Sequence, residues 1–148
     1  MKRFKLGLVL LAFVAMTGIA NAGGVGYIDY LKVIDNYDYA KRAIKEVDAK
    51  GLEMQQYLVD KEKEYKALDT PLKKQTFEQK TAQEFKAKEQ AYVALKTKRE
   101  EEVYNKIREA AKAVMVEHKL DAVMNQKDIF VGGLDITDMV INKLKAGK

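Results

Sequence analysis

The sequence predicts an α+β fold that is mostly α. A long antiparallel helical hairpin, a coiled-coil arm, is inserted in a small β body. Three observations predict it. Residues 38–118 form a nearly unbroken charged stretch, with 18 Lys/Arg and 15 Asp/Glu between Lys41 and Glu117. Asp69-Thr70-Pro71 interrupts that stretch with the only proline of the chain. Short β-branched and aromatic runs stand at both ends, outside it.

The chain opens on a secretory signal over residues 1–22. Lys2, Arg3 and Lys5 give a positive start, Leu6 to Ile19 is apolar apart from Gly and Thr, and Ala20-Asn21-Ala22 fits a small-x-small cleavage pattern. An apolar run of 14 residues is short for a membrane span, which needs roughly 20. Cysteine is absent, so the chain forms neither disulfides nor a lipid link to cysteine. Cleavage after Ala22 leaves 126 residues and removes three positive charges, taking the formal +5 to +2. Net charge alone then gives little reason to expect a nucleic-acid partner.

Gly24-Val-Gly-Tyr-Ile-Asp-Tyr30 reads as a strand. Leu31, Val33, Ile34 and Tyr37 follow at helical spacing, and Asp38 is placed to cap a long helix. Along that helix Ala40, Ile44, Val47, Gly51, Met54, Leu58, Lys61, Tyr65, Leu68 and Leu72 step by four and three, a heptad seam with Gly51 and Lys61 as weak positions. So narrow a stripe needs a partner helix. Asp69 or Thr70 can cap a second helix that begins at Pro71, so the chain reverses with its tip near 69–71. An arm of about 40 residues would reach roughly 60 Å. The return helix carries Phe77, Phe85, Tyr92, Leu95, Val103, Ile107, Ala110 and Val114, with a stutter of steps of four from 95 to 107. Seven lysines face three glutamates between Lys73 and Lys98, before Glu100-Glu-Glu102 reverses the sign.

Beyond His118-Lys119, Leu120–Met124 and Ile129–Val131 read as two strands of a hairpin about the turn Asn125-Gln-Lys-Asp128. Gly132-Gly133 ends it. Asp135 is placed to cap a last helix with Ile136, Met139, Val140 and Leu144 on one face. Residues 23–37 and 119–148 thus make the body, and 38–118 the arm.

Residues for catalysis are missing. His118 is the single histidine, Asp29 and Asp135 are lone carboxylates, and no nucleophile–base set, phosphate loop or metal-ligand cluster can be assembled. The chemistry is binding, with no cofactor and no metal. Lysine-rich helices could suggest a nucleic-acid binder, but the signal and the lack of an aromatic-lined basic groove speak against it. A structural coiled-coil spacer of the cell envelope is the alternative.

Four segments carry a resemblance: Val25-Gly-Tyr-Ile-Asp29, the charged hairpin, Leu120-Asp-Ala-Val123, and above all Ile129-Phe-Val-Gly-Gly-Leu-Asp-Ile-Thr-Asp138. In that order they resemble the Skp/OmpH-like periplasmic chaperones over essentially the whole mature chain. The resemblance implies a homotrimer with a barrel-like β body. Its arms would enclose a cavity that holds unfolded outer-membrane proteins without ATP. Val25, Tyr27, Ile28, Val123, Ile129, Phe130, Val131, Ile136 and Val140 are then the residues expected in the oligomer body. Tyr57, Tyr65, Phe77, Phe85 and Tyr92, with Lys73, Lys74, Lys80 and Lys86, are the arm candidates for client contact. A membrane-surface or lipopolysaccharide contact is left open. The modest charge departs from the strongly basic best-known members.

Overall fold

The computed structural model describes residues 23–147. The expected signal peptide lies outside them. Strand β1 (Val25–Ile28) leads into a short helix α1 (Tyr30–Asp35) and then into two long helices, α2 (Asp38–Lys66) and α3 (Pro71–Glu117). Strand β2 (Ala122–Asn125), a 3₁₀ turn (Gln126–Asp128), strand β3 (Leu134–Asp135) and helix α4 (Thr137–Ala146) complete the chain. The fold is mostly helical, with long helices and one small sheet.

β1 lies in the middle of the sheet, with β2 and β3 on either side, and both pairings are parallel. Parallel neighbours need a long crossover. Between β1 and β2 that crossover is the entire hairpin of α2 and α3. From β2 the chain returns to the opposite edge of the sheet, at β3, through residues 126–133. This corrects the expected hairpin of Leu120–Met124 with Ile129–Val131. The chain leaves β2 and must travel back before it can run parallel again, and Ile129–Val131 is part of that return leg. Ile129 has extended backbone, but the segment joins no ladder, and Phe130 and Val131 stand fully out in solvent. A short β-branched and aromatic run favours extended chain; it does not show which neighbour that chain pairs with. Gly133, at φ +90°, makes the re-entry into β3, and a side chain there would press on Tyr27 at 3.1 Å.

The turn at the tip forms as the residues suggest. Pro71 opens α3, and the Thr70 hydroxyl accepts a bond from the Lys73 N–H. At the other end of α2, Tyr37 takes the N-cap place and Asp38 is already helical, one residue later than expected for a cap. Helix α3 closes with Lys119 at φ 54° and the Leu120 N–H donating to the Met115 carbonyl, a Schellman-type end.

The buried core is Ile28, Val33, Tyr37, Ala40, Ala43, Val103, Ile107, Ala110, Ala111, Val114, Ile136, Val140, Ile141 and Leu144. The base of the hairpin therefore helps to build the body. That fits the unequal helix lengths: the start of α2 packs on the last turns of α3, α4 packs there too, and α1 packs against α2 and α4.

Asp29 and Asp135 are less solitary than their sequence positions suggest. Asp29 caps α1 through the Lys32 N–H at 3.0 Å, and its own N–H donates to the Thr137 hydroxyl at 2.9 Å. That hydroxyl donates in turn to Asp135 Oδ1 at 2.5 Å, and the Thr137 N–H reaches the same oxygen at 2.9 Å. Asp135 thus serves the start of α4 from just before the N-cap residue, Ile136. Thr137 is only 1% exposed and ties the two chain ends together. Thr137→Val keeps the shape and removes both hydroxyl bonds, so urea unfolding should show a loss of about 2 kcal/mol. The Asp135 carboxyl sits below its usual range, chiefly through the Thr137 hydroxyl bond. A depressed carboxylate stabilises above its unfolded pKa and loses that contribution as pH falls through its folded one. The variant's deficit should therefore shrink on acidification below about pH 4.

Candidate functional site

The arm is held by a seam of rings and charges. Tyr57 donates its hydroxyl to Glu84 across the hairpin at 2.7 Å, and Tyr65 packs against Phe77 with ring centroids 6.2 Å apart. Burial of its ring, followed by the bond to Glu84, pushes the Tyr57 hydroxyl up to about 12. Lys61, the weak heptad position, lies inside the seam. Its ammonium stands 5.6 Å from the Tyr57 ring and 5.5 Å from Phe77 while pairing with Glu64 at 2.9 Å. The seam takes Ala43 and Tyr57 where the heptad reading had Ile44 and Leu58, which are 47% and 45% exposed. Two causes are visible: alanine lets the helices approach at the base, and the Tyr57–Glu84 bond holds that ring over the junction.

Lower down is a cluster that sequence reasoning missed. Arg99 on α3 reaches α2 with two parallel bonds to Glu46, at 2.8 and 3.0 Å, and a third bond at 2.6 Å to Glu102. Tyr39 donates its hydroxyl to the same Glu102 oxygen at 2.7 Å, and Lys106 lies over the Tyr39 ring at 4.9 Å. Fork-on-fork pairing fixes direction as well as distance. The bonds from Arg99 hold the Glu46 carboxyl below its usual range; Tyr39 first, and then Arg99, does the same for Glu102. The one sequence signal was Arg99 on the apolar stutter between Leu95 and Val103.

From residue 44 to residue 102 no side chain is fully buried. Tyr57, Tyr65, Phe77, Phe85 and Tyr92 are all half-buried. Of the four lysine candidates, Lys73 pairs with Asp69 at 2.9 Å, Lys80 with Glu84 at 3.8 Å, Lys74 lies over the Tyr65 ring at 5.4 Å, and Lys86 is exposed. The three contacts are solvated and hold the arm only weakly.

At the base of the arm a cleft of about 750 Å³ runs past Ile34, Ile44, Val47, Tyr92 and Tyr104. A second, of about 420 Å³, continues across Tyr30 and Tyr104 to Ile28, Val123 and Met124 of the sheet. Among the nine body candidates, Ile28, Ile136 and Val140 are buried in the chain's own core, and Tyr27, Val123 and Ile129 are half-buried. Val25, Phe130 and Val131 are exposed. The structure thus places part of that set inside and brings an apolar remainder to the surface.

This arrangement, a hairpin inserted between β1 and β2 with the last helix closing the body, spans the residues matched by one family model. The model is that of the outer membrane protein (OmpH-like) family, and it covers residues 24–144. The chain belongs to the OmpH-like family. Members of this family are periplasmic chaperones of outer-membrane proteins and are generally not enzymes. No curated protein matches the chain. Among solved structures, it is similar to a protein from Caulobacter crescentus described as an OmpH-like outer membrane chaperone. The two are 15% identical, with a TM-score of 0.42, and the match covers 85% of this chain and 86% of that one. No helix among the described residues is long and apolar enough to cross a membrane.

Proposed function

We propose that this OmpH-like chain is an ATP-independent holdase of the periplasm. It binds unfolded outer-membrane proteins between helical arms and keeps them from aggregating. The observation that carries this reading is the unburied seam. An arm that served only as a spacer would gain by closing its aromatic and aliphatic side chains away. This one leaves them half-exposed from residue 44 to residue 102, beside an open apolar cleft at its base. An unfolded barrel protein alternates apolar and polar residues along each strand. Many weak, non-directional contacts suit such a client, because it must later be released without an energy source.

Three copies joined through the body form the proposed assembly. Phe130, Val131, Val25 and Met124 are exposed apolar side chains around a three-stranded sheet whose outer strands are both edges. Uncovered edges and apolar surface favour association. The arms would then stand around a common cavity. Mature protein mixed with an unfolded outer-membrane protein in the absence of ATP should keep it soluble, and light scattering of the protein alone should give about three times the chain mass. Aggregation of the client at the same rate with and without the protein would refute the reading. A stable monomer would refute the assembly.

A further inference from the structure

We propose that the arm is a zipper that parts from its tip as far as the Arg99–Glu46–Glu102–Tyr39 clasp, and that the clasp is the inner limit of parting. The use of the parted seam, as added apolar surface for an unfolded client, rests on the chaperone reading.

Three observations converge on this division. First, the fully buried side chains of the hairpin stop at Ala43 on α2 and Val103 on α3, and the clasp stands at that boundary. Beyond it the helices share only half-buried residues and solvated ties. Segments with few buried contacts open at much lower free energy than the core. Second, Arg99 is the point where α3 grips α2 with two bonds, and Glu102 and Tyr39 extend the grip across both helices. Third, Gly51 lies just outside the clasp, facing Tyr92. A methyl group there would meet the Tyr92 ring at 3.6 Å, an ordinary contact, so packing does not demand glycine. A glycine in mid-helix costs about 1 kcal/mol relative to alanine. Placed here, it weakens α2 at the point where an opening arm must separate from a fixed base. Parting exposes both sides of the seam, including the rings of Tyr57, Tyr65 and Phe77.

Hydrogen exchange of the mature protein, followed by mass spectrometry, tests the zipper directly. Amides of residues 52–94 should exchange about tenfold or more faster than those of 103–114, with the step at the clasp. Arg99→Met should move the step inward, toward the buried core, while the exchange of α4 is unchanged. Glu46→Gln, a milder change, should move it in the same direction. Gly51→Ala should slow exchange beyond the clasp several-fold. Uniform protection along both helices, or a step that stays in place in both clasp variants, would overturn the proposal. Client capture by an arm whose exchange shows no step would overturn it and leave the chaperone reading intact. A clear step without client capture would support the zipper and refute that reading.

Discussion

A protein lacking residues 52–65 and 77–90 is expected to fold and assemble as the full chain does, and to lose most of its hold on an unfolded outer-membrane protein. Each excision removes 14 residues, two heptads, so the seam stays in phase. The turn at Asp69-Thr70-Pro71, the Gly51–Tyr92 contact and the Arg99 clasp all remain. The buried core is untouched, because it draws only on Ala40, Ala43 and residues from Val103 onward in the hairpin. The arm becomes shorter by about 21 Å. It loses Tyr57, Tyr65, Phe77 and Phe85 together. Client affinity should fall about tenfold or more, since losing even ~60 Å² of apolar contact is worth roughly 1.5 kcal/mol. Client solubility and light scattering, measured on one sample, separate the two outcomes. If assembly is lost with the arm, the arms rather than the body join the copies. If client binding survives in full, the holding surface lies at the base, in the cleft beside Tyr30 and Tyr104.

Much of the fold was legible because its signals are local. Proline and a capping threonine mark the tip whatever the rest of the chain does. Heptad spacing announces a paired helix without naming the partner. The sheet was not legible in the same way. Strand pairing depends on where the chain has been carried between strands, and nothing in Ile129–Val131 says that β2 and β3 flank β1 in parallel. The clasp was hidden for another reason. Glu46, Arg99 and Glu102 are common surface residues, and only the hairpin register brings 46 opposite 99. Thr137 carries no signal of its own in the sequence; its burial follows from the meeting of both chain ends. The candidates Tyr65, Phe77, Phe85 and Tyr92 could be placed on a seam by spacing; Tyr57 could not, because the heptad count put Leu58 there, and nor could the degree to which that seam stays open.

Charge is expected to set how fast clients arrive rather than how long they stay. Between Lys73 and Lys98 the arm carries an excess of four positive charges, seven lysines against three glutamates. Lys73, Lys80 and Lys96 pair with neighbouring carboxylates at 2.9, 3.8 and 3.9 Å. Such pairing does not cancel the attraction of a distant client, because the potential far from the arm depends on the sum of its charges. Changing Lys73, Lys74, Lys80 and Lys86 to Gln removes four charges and brings that sum to zero. At low salt the association rate of an acidic unfolded barrel protein should fall about tenfold. Near physiological salt the difference from the unaltered protein should narrow, since charges are then screened over ~8–10 Å. The dissociation rate should change by less than about twofold in both comparisons, because apolar contact is little affected by such salt. Lys74 also lies over the Tyr65 ring, so Lys74→Gln alone controls for a loosened seam. Stopped-flow binding of a labelled client gives both rates. A dissociation rate that climbs steeply with salt, while association stays constant, would mean that charge itself holds the client and that the half-exposed aromatic seam does not.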